Sequence, residues 1–425
     1  MEAARPPALR YGRAALGVSF FAQGALFALL VTRIPAIQDR YGIGDGLLPV
    51  FLAAVPVLAG VGSAVTEQLV RRVRPTVVLR WVQPAVALVL AGLGAGDRLW
   101  AAAVALALFG VCVGGLDASM NMLGVSLQRE YGQSIMLGFH AVYSLGGIVG
   151  ASLAWTDAHW HISLLALYGP FALVTAPMTL AASHWYRDAD RADDPADRVA
   201  ASGSSGSSGP SGPSGAEGSG RPAAAPQVVM RLLLPLCLVM AFAYIGDSTV
   251  SNWSAKYLQD TLHSSDQLST VPYAVYMVMT LVGRSVGDGG VRRFGAVPVV
   301  RLGTVVAMAG FAVVAAAPGP WVGMLGFTLL GLGLSVIVPQ TFAAAGRMFP
   351  DASDAAVARL NIFNYVGFLV GSPLVGAVGD AWSYRGAMVL PMVLVGAALL
   401  YARSFAPGAD GYGVGHERPH AVDVG

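Results

Sequence analysis

Apolar residues run in blocks of roughly 20 along almost the whole chain, separated by short polar stretches. A block of that length is what an α-helix needs to cross a hydrocarbon core about 30 Å thick. Twelve such blocks are predicted to be membrane spans. The first six lie near 13–33, 47–69, 76–95, 99–126, 134–156 and 161–184. The second six lie near 230–254, 268–289, 297–317, 321–346, 355–378 and 384–404. Between the two sets the pattern stops. Charge comes first, "RDADRADDPADR", and then "ASGSSGSSGPSGPSGAEGSG". A Ser/Gly/Pro tract buries no core and behaves as flexible coil, so a disordered linker is expected. The chain therefore reads as an all-α polytopic membrane protein. Its parts are a six-helix half (1–184), a linker (185–229), a second six-helix half (230–404) and a tail (405–425).

Composition agrees with this pattern. Of the 425 residues 55% are hydrophobic and 12% charged, about half the charge of a soluble protein. The first apolar run is too long for a signal-peptide core and no small-residue cleavage site follows it, so it reads as a retained span. A net charge of +2 gives no reason to expect a nucleic-acid partner. Cys112 and Cys237 lie inside apolar runs and read as packing residues, with no disulfide, metal or cofactor expected. Among the basic residues only Lys256 is lysine, which together with abundant Ala and Gly suggests a high-GC bacterium. Basic residues in the loops set direction. With the N-terminus inside, 21 of the 26 Lys and Arg fall on the inner side, and Arg33, Arg40, Arg98, Lys256 and Arg385 fall outside. Both termini and the linker are thus expected in the cytoplasm, with the protein multi-pass in the cytoplasmic membrane and surrounded by lipid. A monomer is expected.

The chain also repeats itself. Laid over 258–301, the stretch 37–80 aligns without a gap, with 15 identities in 44 positions. The matches include Asp39 with Asp260, Gly62 with Gly283, "VRR" at 70–72 with "VRR" at 291–293, and Arg80 with Arg301. Shared hydrophobicity does not align charged loop residues. Two parallel six-span halves follow.

At this point the sequence resembles the major facilitator superfamily of secondary transporters. The residues that carry the resemblance are a glycine, an acid and then basic residues after the second span, repeated after the eighth. The second copy is "GRSVGDGGVRRFG" (283–295) and the first is "GSAVTEQLVRRVRP" (62–75), which has Glu67 as its acid and lacks the later glycine. In that family the loop tethers helices in one gate state. The resemblance assigns this role to Asp288 with Arg284, Arg292 and Arg293, and to Glu67 with Arg71 and Arg72. A plain topology-setting role is the alternative. Over 121–151, 252–260 and 326–347 the chain looks like one bacterial branch of uncharacterised facilitators, itself distantly like fucose–proton symporters. It departs from that branch at Asp247–Ser248, at Asn252–Trp253 and near Gln128.

Polar residues inside the spans are the candidate chemistry. Gly110, Gly114, Asp117, Asn121, Gly124 and Gln128 step by 4, 3, 4, 3 and 4, which places them on one helix face. An acid at membrane depth costs about 2.5–3.5 kcal/mol on insertion scales, and is tolerated facing water or a partner. In the facilitator fold the first and fourth spans of each half line the central cavity. Asp117 is therefore a candidate proton-coupling or substrate-binding carboxylate, or else a packed residue bonded to Asn121 or a neighbouring helix. Asp247 shares a face with Tyr244, Ser251 and Ser254 in the seventh span. His140, in the fifth span, suits proton traffic or plain packing. Asn361 and Asn364 share a face in the eleventh span with Phe368, beside Tyr365, while Gln23 and Phe27 are the candidates in the first. Amides of this kind suit a polyol or sugar-like solute, and they also join helices. "DAHWH" (157–161) has no convergent partner to make a metal site. There is no nucleotide-binding loop and no nucleophile–base constellation, so no enzyme activity is expected.

The leading expectation is a proton-coupled carrier of a small organic solute. The alternatives are a proton-antiport exporter of drugs or metabolites, and a membrane sensor that uses the same fold without translocation.

Overall fold

The structure is a computed structural model, and it describes residues 6–44, 47–160, 162–187, 228–269 and 271–406. Most of the expected linker (188–227), most of the expected tail (407–425) and His161 of "DAHWH" lie outside the described residues. The described residues are helical almost throughout. In the first half α1 is Pro7–Thr32, α2 Leu48–Leu69, α3 Pro75–Ala95, α4 Leu99–Tyr131, α5 Met136–Trp160 and α6 Leu164–Ala182. In the second half α7 is Met230–Lys256, α8 Pro272–Phe294, α9 Ala296–Ala316, α10 Pro320–Leu334 with Ile337–Met348, α11 Ser353–Ala381, and α12 Tyr384–Ala387 with Val389–Gly396. Among the described residues, nine helices are long and apolar enough to cross a membrane, and Ala53–Leu69 and Tyr384–Leu399 are shorter apolar stretches. The remaining span, α8, carries Arg284, Asp288, Arg292 and Arg293 in its last turns.

Two spans expected as single helices are broken. α10 stops at Leu334 and resumes at Ile337, and α12 stops at Ala387 and resumes at Val389. Both breaks lie a turn before a proline, Pro339 and Pro391. Proline has no N–H to offer the carbonyl four residues back, and its ring clashes there. That carbonyl belongs to Ser335 in one case and Ala387 in the other. Pro56, Pro84, Pro235 and Pro373 lie inside helices that continue past them. Elsewhere the ends follow local chemistry. Gly132 turns α4 into α5 at φ 62°, and Ser163 caps α6 through its side chain.

Helices within each half pack backbone to backbone through glycine. A methyl group at Gly146 would lie 2.1 Å from the Phe21 carbonyl oxygen, and one at Gly150 would lie 2.4 Å from that of Ala25, so α5 seats directly on α1. The same contact recurs at the equivalent glycines of the second half. A methyl at Gly367 would lie 2.3 Å from the Ala241 carbonyl oxygen, and one at Gly371 would lie 2.1 Å from Ser248 Oγ, which seats α11 on α7. The sequence repeat is thus a packing repeat as well.

The outer surface is apolar, as a bilayer solvent allows. Leu173, Leu302, Val286 and Leu400 are exposed on it. Exposed tryptophans ring both ends of the bundle. Trp100, Trp155, Trp160, Trp321 and Trp382 lie at one end, and Trp81 and Trp185 at the arginine-rich other.

Candidate functional site

The polar centre is built around Asp117. α4 carries it to the middle of the bundle, where its two carboxylate oxygens accept from different halves. Gln23 Nε2, from α1, donates to Oδ1, and the Tyr365 hydroxyl, from α11, donates to Oδ2. One turn along, Asn121 Nδ2 donates to the Asp117 carbonyl at 2.9 Å, and its Oδ1 lies 3.2 Å from His140 Nε2. His140 is buried, its ring 5.4 Å from Phe20 of α1 and 6.2 Å from Phe342 of α10. Gln23, Asp117, Asn121 and His140 therefore form one polar cluster. The small residues of the α4 stripe act differently. A methyl at Gly114 would lie 1.9 Å from the Ala59 carbonyl oxygen, so this end of the stripe is a helix-packing seam against α2. Gln128 caps α5, its Oε1 accepting from the amides of Ile135 and Met136 at 2.8 and 2.9 Å.

In the second half Asp247 accepts from the Tyr276 hydroxyl. Asp247 is half-buried, as are Tyr143, Tyr244 and Tyr365. Tyr273 stacks on Tyr276, their ring centroids 6.2 Å apart. Each half thus brings an acid that accepts from a tyrosine hydroxyl, Asp117 from Tyr365 and Asp247 from Tyr276.

Arg284 differs from expectation. The sequence placed it with the gating loop. The structure places it inside the bundle, where Nη1 donates to Ser144 Oγ at 2.6 Å and to the His140 carbonyl at 3.3 Å. Its Nε is buried without a partner. Of the two roles the sequence left open for Asn361 and Asn364, their bonds are those of helix joining at the interface. Asn361 Nδ2 donates to Ser63 Oγ of α2 at 2.8 Å, and Asn364 Nδ2 donates to Asn361 Oδ1 at 3.3 Å.

The two halves are joined at the arginine-rich end. Glu67 Oε1 accepts from Arg359 Nη2 at 2.9 Å and Nε at 3.0 Å, with Arg71 at 3.7 Å. Asp288 accepts from Ser134 Oγ at 2.6 Å and from the amides of Gly138 at 2.8 Å and Leu137 at 3.3 Å. Arg292 donates to the Ser134 carbonyl at 3.1 Å. The i,i+4 pairs that the spacing of Arg284, Asp288 and Arg292 suggests are replaced by bonds from all three to α5 and the turn before it. Arg72 and Arg293 are exposed. Arg129 adds a tie that the sequence reading missed, donating to the carbonyls of Gly346 at 3.1 Å and Pro350 at 3.2 Å. Ser63 and Arg359 were missed too, and Tyr365 was named only as a neighbour of the eleventh-span amides. For two of them the register of the repeat is a pointer, since it maps Gly138 onto Arg359 and Ser63 onto Arg284.

The comparisons with known proteins agree with this architecture. The pattern described as Major Facilitator Superfamily matches residues 236–413. An uncharacterized MFS-type transporter of Yersinia pestis is 25% identical over 393 residues, covering 90% of this chain and 93% of that one. Membrane protein MosC of Rhizobium meliloti is 23% identical over 92% of this chain and 89% of its own. Among solved structures, the MFS transporter FucP in the outward conformation superimposes with a TM-score of 0.73 at 15% identity, over 92% of this chain and 98% of that one. The proton:xylose symporter XylE gives 0.69 at 12%, over 96% and 97%. The chain has the fold of the major facilitator superfamily. The relatives that match most of its length are named as an MFS-type transporter and a membrane protein. The two acids of the repeated loop, Glu67 and Asp288, both reach the opposite half, Asp288 at the start of α5 and Glu67 at Arg359, in the second turn of α11.

Proposed function

We propose that this facilitator is a proton-coupled secondary transporter of a small organic solute, working by alternating access of its two halves across the cytoplasmic membrane. The observation that carries the reading is the position of Asp117. An acid at membrane depth is rare, and it marks a proton or solute path when it faces the interior of a bundle. Here it is held by one donor from its own half and one from the other. Asp247 supplies a second carboxylate beside Arg284, and the surrounding tyrosines offer hydroxyl groups and ring faces to a solute. The positive-inside rule places the arginine-rich end in the cytoplasm. The bonds of Glu67, Asp288 and Arg129 tie the two halves together at that end, as a state closed to the cytoplasm requires. A thermal-shift screen of the purified protein against a metabolite library, run at two pH values, identifies the solute. A ligand whose stabilisation changes with pH, and changes less in Asp117→Asn, supports the reading. Hits that bind equally at both pH values and in that variant count against it.

A further inference from the structure

We infer that Tyr365 is the positioning residue that carries the ionisation state of Asp117 to the opposite half, its hydrogen bond holding the cytoplasmic end closed while Asp117 is ionised. The inference rests on the proton-coupled reading above. Asp247 accepts from Tyr276 of its own half, so a proton there changes no bond across the interface. Asp117 is bonded differently. One oxygen is held inside its own half by Gln23, and the other is held by Tyr365 of α11, the span that also carries Arg359 and Asn361 to the first half.

Protonation changes what this site can do. An ionised carboxylate accepts both bonds, and each is charge-assisted. A neutral acid must donate one bond itself, and it accepts the other more weakly. Gln23 Oε1 is buried without a partner beside Asp117, so it is ready to take that proton once the amide turns over. The bond from Tyr365 then weakens from a charged to a neutral one. That difference shifts the balance of closed over open by about fivefold.

The groups facing Asp117 are accounted for. α5 presents His140, through Asn121, and Tyr143, while α7 presents Tyr244. The charged groups on the other helices packed against α4 have partners of their own: Glu67 of α2 with Arg359, Arg80 of α3 with Ser183, and Arg347 of α10 with the Phe405 carbonyl. His140, and Asp288 at the cytoplasmic end itself, are the competing sensors.

The test needs no solute. Spin labels go on Trp81 and Leu302, which are equivalent positions of the repeat and each 65% exposed, in full-length protein with Cys112 and Cys237 replaced by Ser and reconstituted in nanodiscs. Distance distributions are recorded from about pH 8 to about pH 5. Wild type is expected to lose closed state about fivefold as pH falls. Tyr365→Phe and Asp117→Asn are each expected to start less closed at high pH and to show no pH response, and their double variant is expected to match either single one. His140→Gln is expected to keep the wild-type response. A pH response retained in Tyr365→Phe or Asp117→Asn, or absent in wild type, overturns the inference. Failure of the transport reading would show elsewhere, as a solute that binds without moving protons.

Discussion

Glu67 and Asp288 occupy the same position of the repeat, one in each half, and they close the same interface by different chemistry. Asp288 meets a helix end. It accepts from the first free amides of α5, at Leu137 and Gly138, where the helix dipole also favours an anion. Glu67 meets the equivalent of Gly138, which is Arg359. The reason lies in where the facing helix begins. α5 starts at Met136, but α11 starts at Ser353, a full turn earlier in the frame of the repeat. The amides opposite Glu67 are therefore already bonded within their helix. A guanidinium replaces them, and the result is a close ion pair with bonds of 2.9 and 3.0 Å. Their neighbours repeat the pairing. Ser63 meets Asn361 in one clamp, and Arg284 meets the His140 carbonyl in the other. A capped helix end thus stands in one half where a buried ion pair stands in the other.

The two chemistries predict different responses to substitution. The largest effect is expected from Arg359→Ala, which leaves Glu67, only 7% exposed, without its main partner. Removing one partner of a buried pair costs about 3–5 kcal/mol. The closed population read by the Trp81–Leu302 distance should collapse, and adding Glu67→Ala should restore part of it. A double variant worse than Arg359→Ala alone would show that the pair is not one unit.

Asp288→Ala comes next. It strands two backbone amides and the Ser134 hydroxyl, at about 2–3 kcal/mol, and exceeds Glu67→Ala, which leaves Arg359 still bonded to the Val228 carbonyl at 3.1 Å. Equal losses from the two variants would remove the distinction between the clamps. Arg71→Ala should cost under about 1 kcal/mol, because its 3.7 Å contact is exposed on the arginine side. A larger loss would mean that the first clamp depends on Arg71. Deleting residues 201–220, which lie outside the described residues, should leave the distance distribution unchanged, since a Ser/Gly/Pro coil of that length spans roughly 25 Å. A shift in the distribution would give the tract a role in gating.

Much of this fold was legible from apolar block length alone, because a helix in lipid must satisfy its own backbone. The breaks in α10 and α12 were not read, although Pro339 and Pro391 mark them. Pro56, Pro84, Pro235 and Pro373 sit in equally apolar runs without breaking them, so proline by itself did not distinguish the cases. Asp117 stood out because an acid is costly in a greasy helix. Its partner Tyr365 did not, because a tyrosine in a span is ordinary and its contact lies 248 positions away along the chain. Arg284 was misplaced for a related reason. The resemblance grouped it with Asp288 in the gating loop, whereas it lies a turn deeper and bonds to Ser144 and the His140 carbonyl.

The most direct measurement of proton coupling is solute-driven proton movement in proteoliposomes that contain a pH-sensitive dye, using a solute found by the thermal-shift screen. Wild-type protein is expected to acidify the lumen when that solute is added outside. Asp117→Asn is expected to bind the solute and exchange it across the membrane without acidification. Acidification at the wild-type rate in Asp117→Asn would contradict the assignment of Asp117 as the proton site.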